Sequence, residues 1–271
     1  MRKRYTLIAF IIGLVMALLL SESDSEQNAQ KEEKVADDVT LISVYDNYKL
    51  KAELKTDWGF ASIVRTATET ILFDTGGDAG ILLSNMKKLN IDPAGIDKII
   101  ISHIHGDHAG GLDGFLRQNS SVTVYIPASF PDTYRDMISR QGAKYVDISD
   151  SRQISNFIFS TGELDGPVTE QSLIIRSVKG VIVMTGCSHP GIVKTVKKAK
   201  ALFPKETIHL VLGGFHRPPK SAAKTLKKLG VEKAAPSHCT GDDVIKAFKD
   251  DFKEHFIRYG VGKILKIKNK Q

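Results

Sequence analysis

The chain of 271 residues holds only two cysteines and one tryptophan. Two cysteines cannot build the disulfide framework of a small secreted scaffold. Nine prolines and 22 glycines follow no short period, which excludes collagen-like and solenoid architectures. No apolar run reaches the roughly 20 residues of a membrane-spanning helix. The uncharged stretch Thr6–Leu20 falls short of it. What is present is ordinary globular usage, 42% hydrophobic and 25% charged, with a formal charge of +7. Such a chain can bury a sizeable core, and its modest basicity concerns solubility and attraction of anions rather than fold.

The first residues have their own pattern. Arg2, Lys3 and Arg4 precede the Thr6–Leu20 run, and Ser21 and Ser23 are small residues two apart. This suits a signal peptide over 1–23 cleaved after Ser23, with an uncleaved membrane anchor as the alternative. The expected location is therefore exported, periplasmic or extracellular, or anchored facing outside, with the membrane met only through this segment. The acidic stretch that follows reads as a solvated linker over 24–38, and one domain is expected over 39–271.

From Val39 short β-rich runs alternate with helical ones. Strands are expected at Thr40–Tyr45, Ser62–Thr66, Thr70–Phe73, Lys98–Ile101, Val122–Ile126, Phe157–Ser160, Ser172–Arg176, Val181–Thr185 and Ile208–Leu212. Helices are expected at Ala79–Leu89, Gly110–Arg117, Pro131–Arg140, Gly191–Leu202, Ser221–Leu229 and Asp242–His255. Interleaving of this kind implies an α/β layer fold. Ile192, Val196, Ala199 and Leu202 recur at helical spacing while the neighbouring lysines fall elsewhere on the wheel, so the lysine-rich segments read as solvated helix faces. No aromatic or arginine platform accompanies them, and no nucleic-acid partner is expected.

The chemistry concentrates where a buried strand ends, in Ser102-His103-Ile104-His105-Gly106-Asp107-His108. His103 and His105, two apart, project to one side of extended chain. Asp107 and His108 follow the Gly106 turn and can face a second point. Imidazole and carboxylate at this density suit zinc or a similar first-row ion. Two further histidines lie at later strand ends, in Gly186-Cys187-Ser188-His189 and in Ser237-His238-Cys239. His209, inside a strand, and His255, near a helix end, read as structural or solvated.

Phe73-Asp74-Thr75-Gly76-Gly77, the His-x-His-x-Asp-His motif and the later isolated histidines resemble the metallo-β-lactamase superfamily. The runs Gly-Cys-Ser-His-Pro-Gly-Ile, Gly213-Gly214-Phe215-His216 and Ser-His-Cys-Thr-Gly resemble one branch of it, named after a dihydropteroate-synthase-like enzyme of methanopterin biosynthesis. The resemblance implies a four-layer αββα sandwich with a binuclear metal site along one edge. It implies His103, His105 and His189 on the first metal, Asp107, His108 and His238 on the second, and Asp74 as the carboxylate that supports the ligands. The ions expected are two divalent metals, zinc first and manganese or iron as alternatives. Where many family members place a metal-bridging aspartate, this chain has Gly186-Cys187. Cys187 then has three readings: a small packing residue, a substitute ligand, or half of a disulfide.

The function expected is hydrolysis of an ester, phosphoester or amide of a small, anionic substrate. Asp107 would orient the nucleophile, and His216 would contact substrate or transfer a proton. The alternatives are a transferase joining a pterin pyrophosphate to an aminobenzene ribosyl phosphate, and a nuclease. Trp58-Gly59-Phe60 and Thr169-Glu170-Gln171 also resemble recurrent segments of the branch, and the sequence assigns them no role.

Overall fold

The computed structural model describes residues 35–268. The expected leader over 1–23 and most of the linker lie outside them. Among the described residues no helix is long and apolar enough to cross a membrane. The fold begins earlier than Val39. Ala36 is 2% exposed, its amide donates to the Arg176 carbonyl and it bridges Ser177, so the last linker residues belong to the domain.

In chain order the strands are β1 (Asp38–Tyr45), β2 (Ala61–Arg65), β3 (Thr70–Phe73), β4 (Lys98–Ile100), β5 (Thr123–Pro127) and β6 (Lys144–Ile148). They continue as β7 (Arg152–Ser155), β8 (Ile158–Ser160), β9 (Leu173–Ser177), β10 (Gly180–Thr185), β11 (Ile208–Gly214), β12 (Val231–Ser237) and β13 (Ile264–Lys268). One sheet runs β13-β1-β2-β3-β4-β5-β6 and the other β12-β11-β10-β9-β8-β7. The helices are α1 (Ala79–Lys88), α2 (Gly106–Ala109), α3 (Leu112–Leu116), α4 (Asp132–Arg140), α5 (Ile192–Leu202), α6 (Ala222–Lys228) and α7 (Asp242–Phe252).

Three apolar clusters separate four layers. Leu41, Val64, Ile71 and Ile100 of the first sheet meet Ile182, Met184, Leu210 and Leu212 of the second. On the outer face of the first sheet, Leu72, Ile99 and Val124 pack with Leu82, Met86, Phe115 and Ile138 of the helices. Beyond the second sheet, Val181, Val183 and Val211 pack with Val196, Ala199, Leu226 and Phe248. The alternation along β10 explains its nearly unbroken apolar sequence: Ile182 and Met184 face the other sheet while Val181 and Val183 face helices.

The four strands that the sequence pattern does not predict, β6, β7, β12 and β13, are the four edges of the two sheets. An edge strand is solvated on one side and carries polar residues that blur the apolar period. Glu232 and Lys233 do so in β12, and Lys266 and Lys268 in β13. The helix expected over Gly110–Arg117 is two short helices, with the first starting at Gly106 inside the histidine motif.

Ile182 is fully buried between the sheets, whereas Ile264 stands 43% exposed on an edge strand. Ile182→Ala is therefore expected to cost about 2–5 kcal/mol in urea unfolding. Ile264→Thr should cost less than about 1 kcal/mol. Similar losses for both would mean that the inter-sheet layer is not the main core.

Candidate metal centre

Strands β3 and β4 are parallel, as are β10, β11 and β12. Their C-terminal ends gather at one edge of the sandwich, where open α/β sheets place their ligands. Asp74 follows β3, Ser102 to His108 follow β4, Gly186 to His189 follow β10, His216 follows β11 and His238 follows β12. Six of the eight histidines of the chain meet there. Ring contacts lead from one to the next: His238 to His108 at 4.9 Å, His108 to His103 at 4.2 Å, His103 to His189 at 4.7 Å and His189 to His216 at 4.0 Å between centroids. His209 lies apart with its Nδ1 2.7 Å from Glu232, and His255 is exposed beside Glu254, as structural and solvated readings require.

The donor atoms fall into sets that could each hold a metal. His103, His105 and His189 form one set, and Asp107, His108, Cys187 and His238 another. The proton assignment of the rings follows from their partners. The Ser102 hydroxyl donates to Asp74 Oδ2 at 2.8 Å, so it accepts from His103 Nδ1 at 2.8 Å and leaves His103 Nε2 as a lone pair. His108 Nδ1 donates to the same Asp74 oxygen at 2.7 Å. His238 Nδ1 donates to Asn47 Oδ1 at 2.8 Å, while Asn47 Nδ2 donates back to the His238 carbonyl at 3.1 Å. Both inner nitrogens of the second set, His108 Nε2 and His238 Nε2, then face each other at 3.2 Å.

Two lone pairs at that separation require a cation between them. Without a metal a proton serves: burial works to lower the His108 pKa, but Asp74 and Asp107 outweigh it and push it up to about 10. Burial also opposes ionisation of Asp107, yet His108 and His238 hold it well below the usual carboxylate range. The first set is different. Burial, then the neighbouring imidazoles, hold His103 far below the usual histidine range and lower His189 to about 4, so both are neutral ligands at pH 7. His189 Nε2 is buried with no hydrogen-bond partner among the described residues. An unpartnered buried nitrogen aimed into a cluster of imidazoles fits a metal ion.

Cys187 occupies the place expected of a bridging carboxylate. Its sulfur is 3.2 Å from His108 Nε2, and Cys187 is 3% exposed, so it is buried beside the second donor set. The disulfide reading is overturned, since both cysteines are free, with Cys239 Sγ 3.1 Å from Cys187 Sγ. Cys239 and burial raise the Cys187 thiol, and two adjacent buried sulfurs do not ionise together.

His216 stands exposed at the end of the ring series, and its amide donates to Cys239 Sγ at 3.3 Å. The Cys239 sulfur raises its pKa. Asp74, Ser188, His216, Arg217 and His238 are five of the seven non-glycine residues in left-handed backbone among the described residues. That strain, of order 1–3 kcal/mol per residue, lies in the turns that follow the strand ends.

Three orienting residues carried no role in the sequence reading. Ser102 and Asn47 fix ring tautomers, as described. Glu170, 1% exposed, accepts the amides of Cys187, Ser188 and His189 at 2.9, 2.8 and 2.8 Å. Burial pushes this carboxylate up to about 7 while the three N–H groups act to hold it down. Gly186 is required beneath them, because a Cβ there would meet Ser102 Oγ and lie 2.8 Å from Asp74 Oδ2.

A family model described as the metallo-β-lactamase superfamily matches residues 59–238. The chain belongs to the metallo-β-lactamase superfamily. It is 34% identical over 246 residues to a 7,8-dihydropterin-6-methyl-4-(beta-D-ribofuranosyl)-aminobenzene-5'-phosphate synthase of Methanocaldococcus jannaschii, covering 72% of this chain and 84% of that one. This bears out the resemblance to the methanopterin-type branch. A ribonuclease Z of Pediococcus pentosaceus is 27% identical over 158 residues, 53% of this chain and 47% of its own. Among solved structures, a metal-dependent hydrolase of the same superfamily superposes with a TM-score of 0.70 at 25% identity, over 85% of this chain and all of that chain (100%). A diphosphatase with a TM-score of 0.58 at 11% identity, over 85% of this chain and 97% of its own, shares the fold.

In this metallo-β-lactamase fold the Glu170 clamp sets the course of the ligand loop. Glu170→Gln would turn an amide donor toward backbone donors, and divalent-metal affinity is expected to fall about 10–100-fold. Unchanged affinity in equilibrium dialysis would show that the clamp does not position Cys187 and His189.

Proposed function

We propose that the chain is a metal-dependent hydrolase that cleaves an ester, phosphoester or amide of a small anionic substrate. The reading rests on the convergence of His103, His108 and His238 ring nitrogens whose outer nitrogens are already committed to Ser102, Asp74 and Asn47. His103, His105 and His189 would hold one divalent ion, and Asp107, His108, Cys187 and His238 the other. A set of imidazoles, one carboxylate and one thiolate suits zinc best, with manganese or iron as alternatives. When bound, such ions lower the pKa of water and place positive charge opposite a developing oxyanion.

The chain supplies the remaining groups. Asp107, with its side chain 21% exposed, lies at the boundary between the buried ligands and solvent. From there it accepts a hydrogen bond from the attacking water and fixes its direction. His216, against His189 at the other end, is placed to contact the substrate and to give a proton to the leaving group. Arg217, beside it and exposed, adds positive charge for an anionic substrate. Buried Ser102 and Glu170 move nothing during the reaction and keep the ligand loops from relaxing.

A second reading is favoured by the 34% identity to a named synthase. In a transferase the same centre would assist departure of a pyrophosphate while an organic acceptor, not water, attacks. The two readings differ only in what approaches beside Asp107.

The purified full chain is expected to hold about two divalent ions and His238→Ala about one. Chelation should abolish turnover of 4-nitrophenyl esters or bis(4-nitrophenyl) phosphate, and added zinc should restore it. His105→Ala should lower kcat by about 100-fold or more. Wild-type turnover in that variant would overturn the site assignment. Turnover only with a pterin pyrophosphate and an arylamine supplied together would select the second reading.

A further inference from the structure

The donor atoms at this edge form one more set, which the two assigned ions do not use as a unit. The Cys187 sulfur and one ring nitrogen each of His189 and His216 all lie within 4.8 Å of one another. The set borrows His189 from the first group and Cys187 from the second, while His216 belongs to it alone. The His189 and His216 rings are 4.0 Å apart between centroids, the shortest such separation in the centre.

His216 is exposed, but its backbone is held. Four consecutive amides at the end of β11 are tied to the loops that carry the other ligands. Gly214 donates to the Gly186 carbonyl at 3.1 Å, Phe215 to Thr240 Oγ1 at 3.0 Å, His216 to Cys239 Sγ at 3.3 Å and Arg217 to the Cys239 carbonyl at 3.2 Å. A Cβ on Gly213 or Gly214 would collide with the Thr185 or the Gly186 carbonyl, so only glycine lets β11 come this close to β10. Phe215 is buried against Phe248. A fixed backbone thus delivers the imidazole beside His189, and donors held in place in this way suit a metal ligand.

An imidazole has one lone pair and serves one ion at a time. His189 can therefore complete the set with His103 and His105, or the set with Cys187 and His216, but not both together. The first choice offers nitrogen alone. The second adds sulfur, which loses its proton on coordination and has lone pairs enough for two ions. The softness of the ion decides between them.

We propose that Cys187, His189 and His216 form an outer position for the first ion, selective for soft divalent cations such as cadmium, with the Cys187 sulfur shared with the ion of the second set. With that position filled, the His216 lone pair is committed, and the ring cannot take up the proton it would pass to a leaving group. The soft-ion form is therefore loaded but idle. This assignment rests on the metal-dependent hydrolytic reading of the centre and adds a second arrangement of its ions.

The metal-free full chain is saturated with cadmium or with zinc, and sulfur ligands per ion are counted by X-ray absorption. One sulfur shared by both ions gives about one per ion, and one sulfur on the second ion alone gives about one half. The cadmium form is expected to show about one and the zinc form about one half. His216→Asn keeps a residue that tolerates the left-handed backbone at φ of 49°, and should lower the cadmium value to about one half with about two ions still bound. Cys187→Ser should remove sulfur from both ions. A value of about one half for wild-type cadmium would overturn the outer position. So would a value of about one that persists in His216→Asn, or sulfur that persists in Cys187→Ser, since either would make Cys239 the second sulfur ligand. Turnover separates the two ideas. Ester hydrolysis by the zinc form, with cadmium at about one half, leaves hydrolysis standing and removes the outer position. A His216-dependent cadmium value of about one, with no hydrolysis by the zinc form, leaves the outer position standing and removes the hydrolytic reading.

Discussion

A single buried carboxylate sets the arrangement on which the centre depends. Asp74 receives the Ser102 amide at 2.7 Å, the Ser102 hydroxyl at 2.8 Å and His108 Nδ1 at 2.7 Å. Through Ser102 it fixes His103, which belongs to the first donor set, and through His108 it reaches the second. One fully buried carboxylate therefore couples both sets and determines which nitrogens of His103 and His108 face the other donors. Burying a carboxylate is costly unless its acceptor sites are filled, and here three donors fill them. Loss of the carboxylate would leave those donors facing a void rather than merely weakening one bond.

The sandwich makes such a carboxylate possible. Parallel strands end together, so Asp74, Ser102 and Gly186 approach from three strand ends at a depth that water does not reach. The second sheet brings its own support from Glu170, and the β1–β2 connection brings Asn47 to His238. Each ligand loop thus has one polar residue behind it. Left-handed backbone at Asp74, Ser188 and His238 is tolerated because hydrogen bonds over-determine these turns.

The legible part of the sequence was the part under the strictest chemical demand. His103, His105, Asp107 and His108 stand out because four ligand-type residues in six positions have little other reason to cluster, and His189 and His238 because each ends a strand at a glycine-marked turn. The interior strands were legible because burial on both faces leaves long apolar runs, as in β10. The edge strands β12 and β13 were not, because half of their surface is satisfied by lysine and glutamate as readily as by valine. Asn47, Ser102 and Glu170 were not legible either. Their roles depend on hydrogen bonds to groups 191, 28 and up to 19 residues away, and no local spacing marks such partners. The linker boundary failed for a related reason: Ala36 is buried by a pairing with Arg176 and Ser177, which nothing in its acidic surroundings announces.

Cys187 shows how much of the chemistry depends on such context. As a sequence letter it departs from the bridging aspartate common among family members, and the sequence leaves it three readings. In the fold its sulfur points at His108 and joins Asp107 and His238, so the second set has four donors rather than three. A sulfur is softer and bulkier than a carboxylate oxygen and favours zinc over harder ions such as magnesium or manganese. The Cys187 sulfur also lies within 4.8 Å of the His189 and His216 donors, so the two sets meet at this residue as well as through Asp74 beneath them. The centre thus has two chemically unequal halves: three imidazoles beside His216, and a carboxylate, a sulfur and two imidazoles beside Trp58.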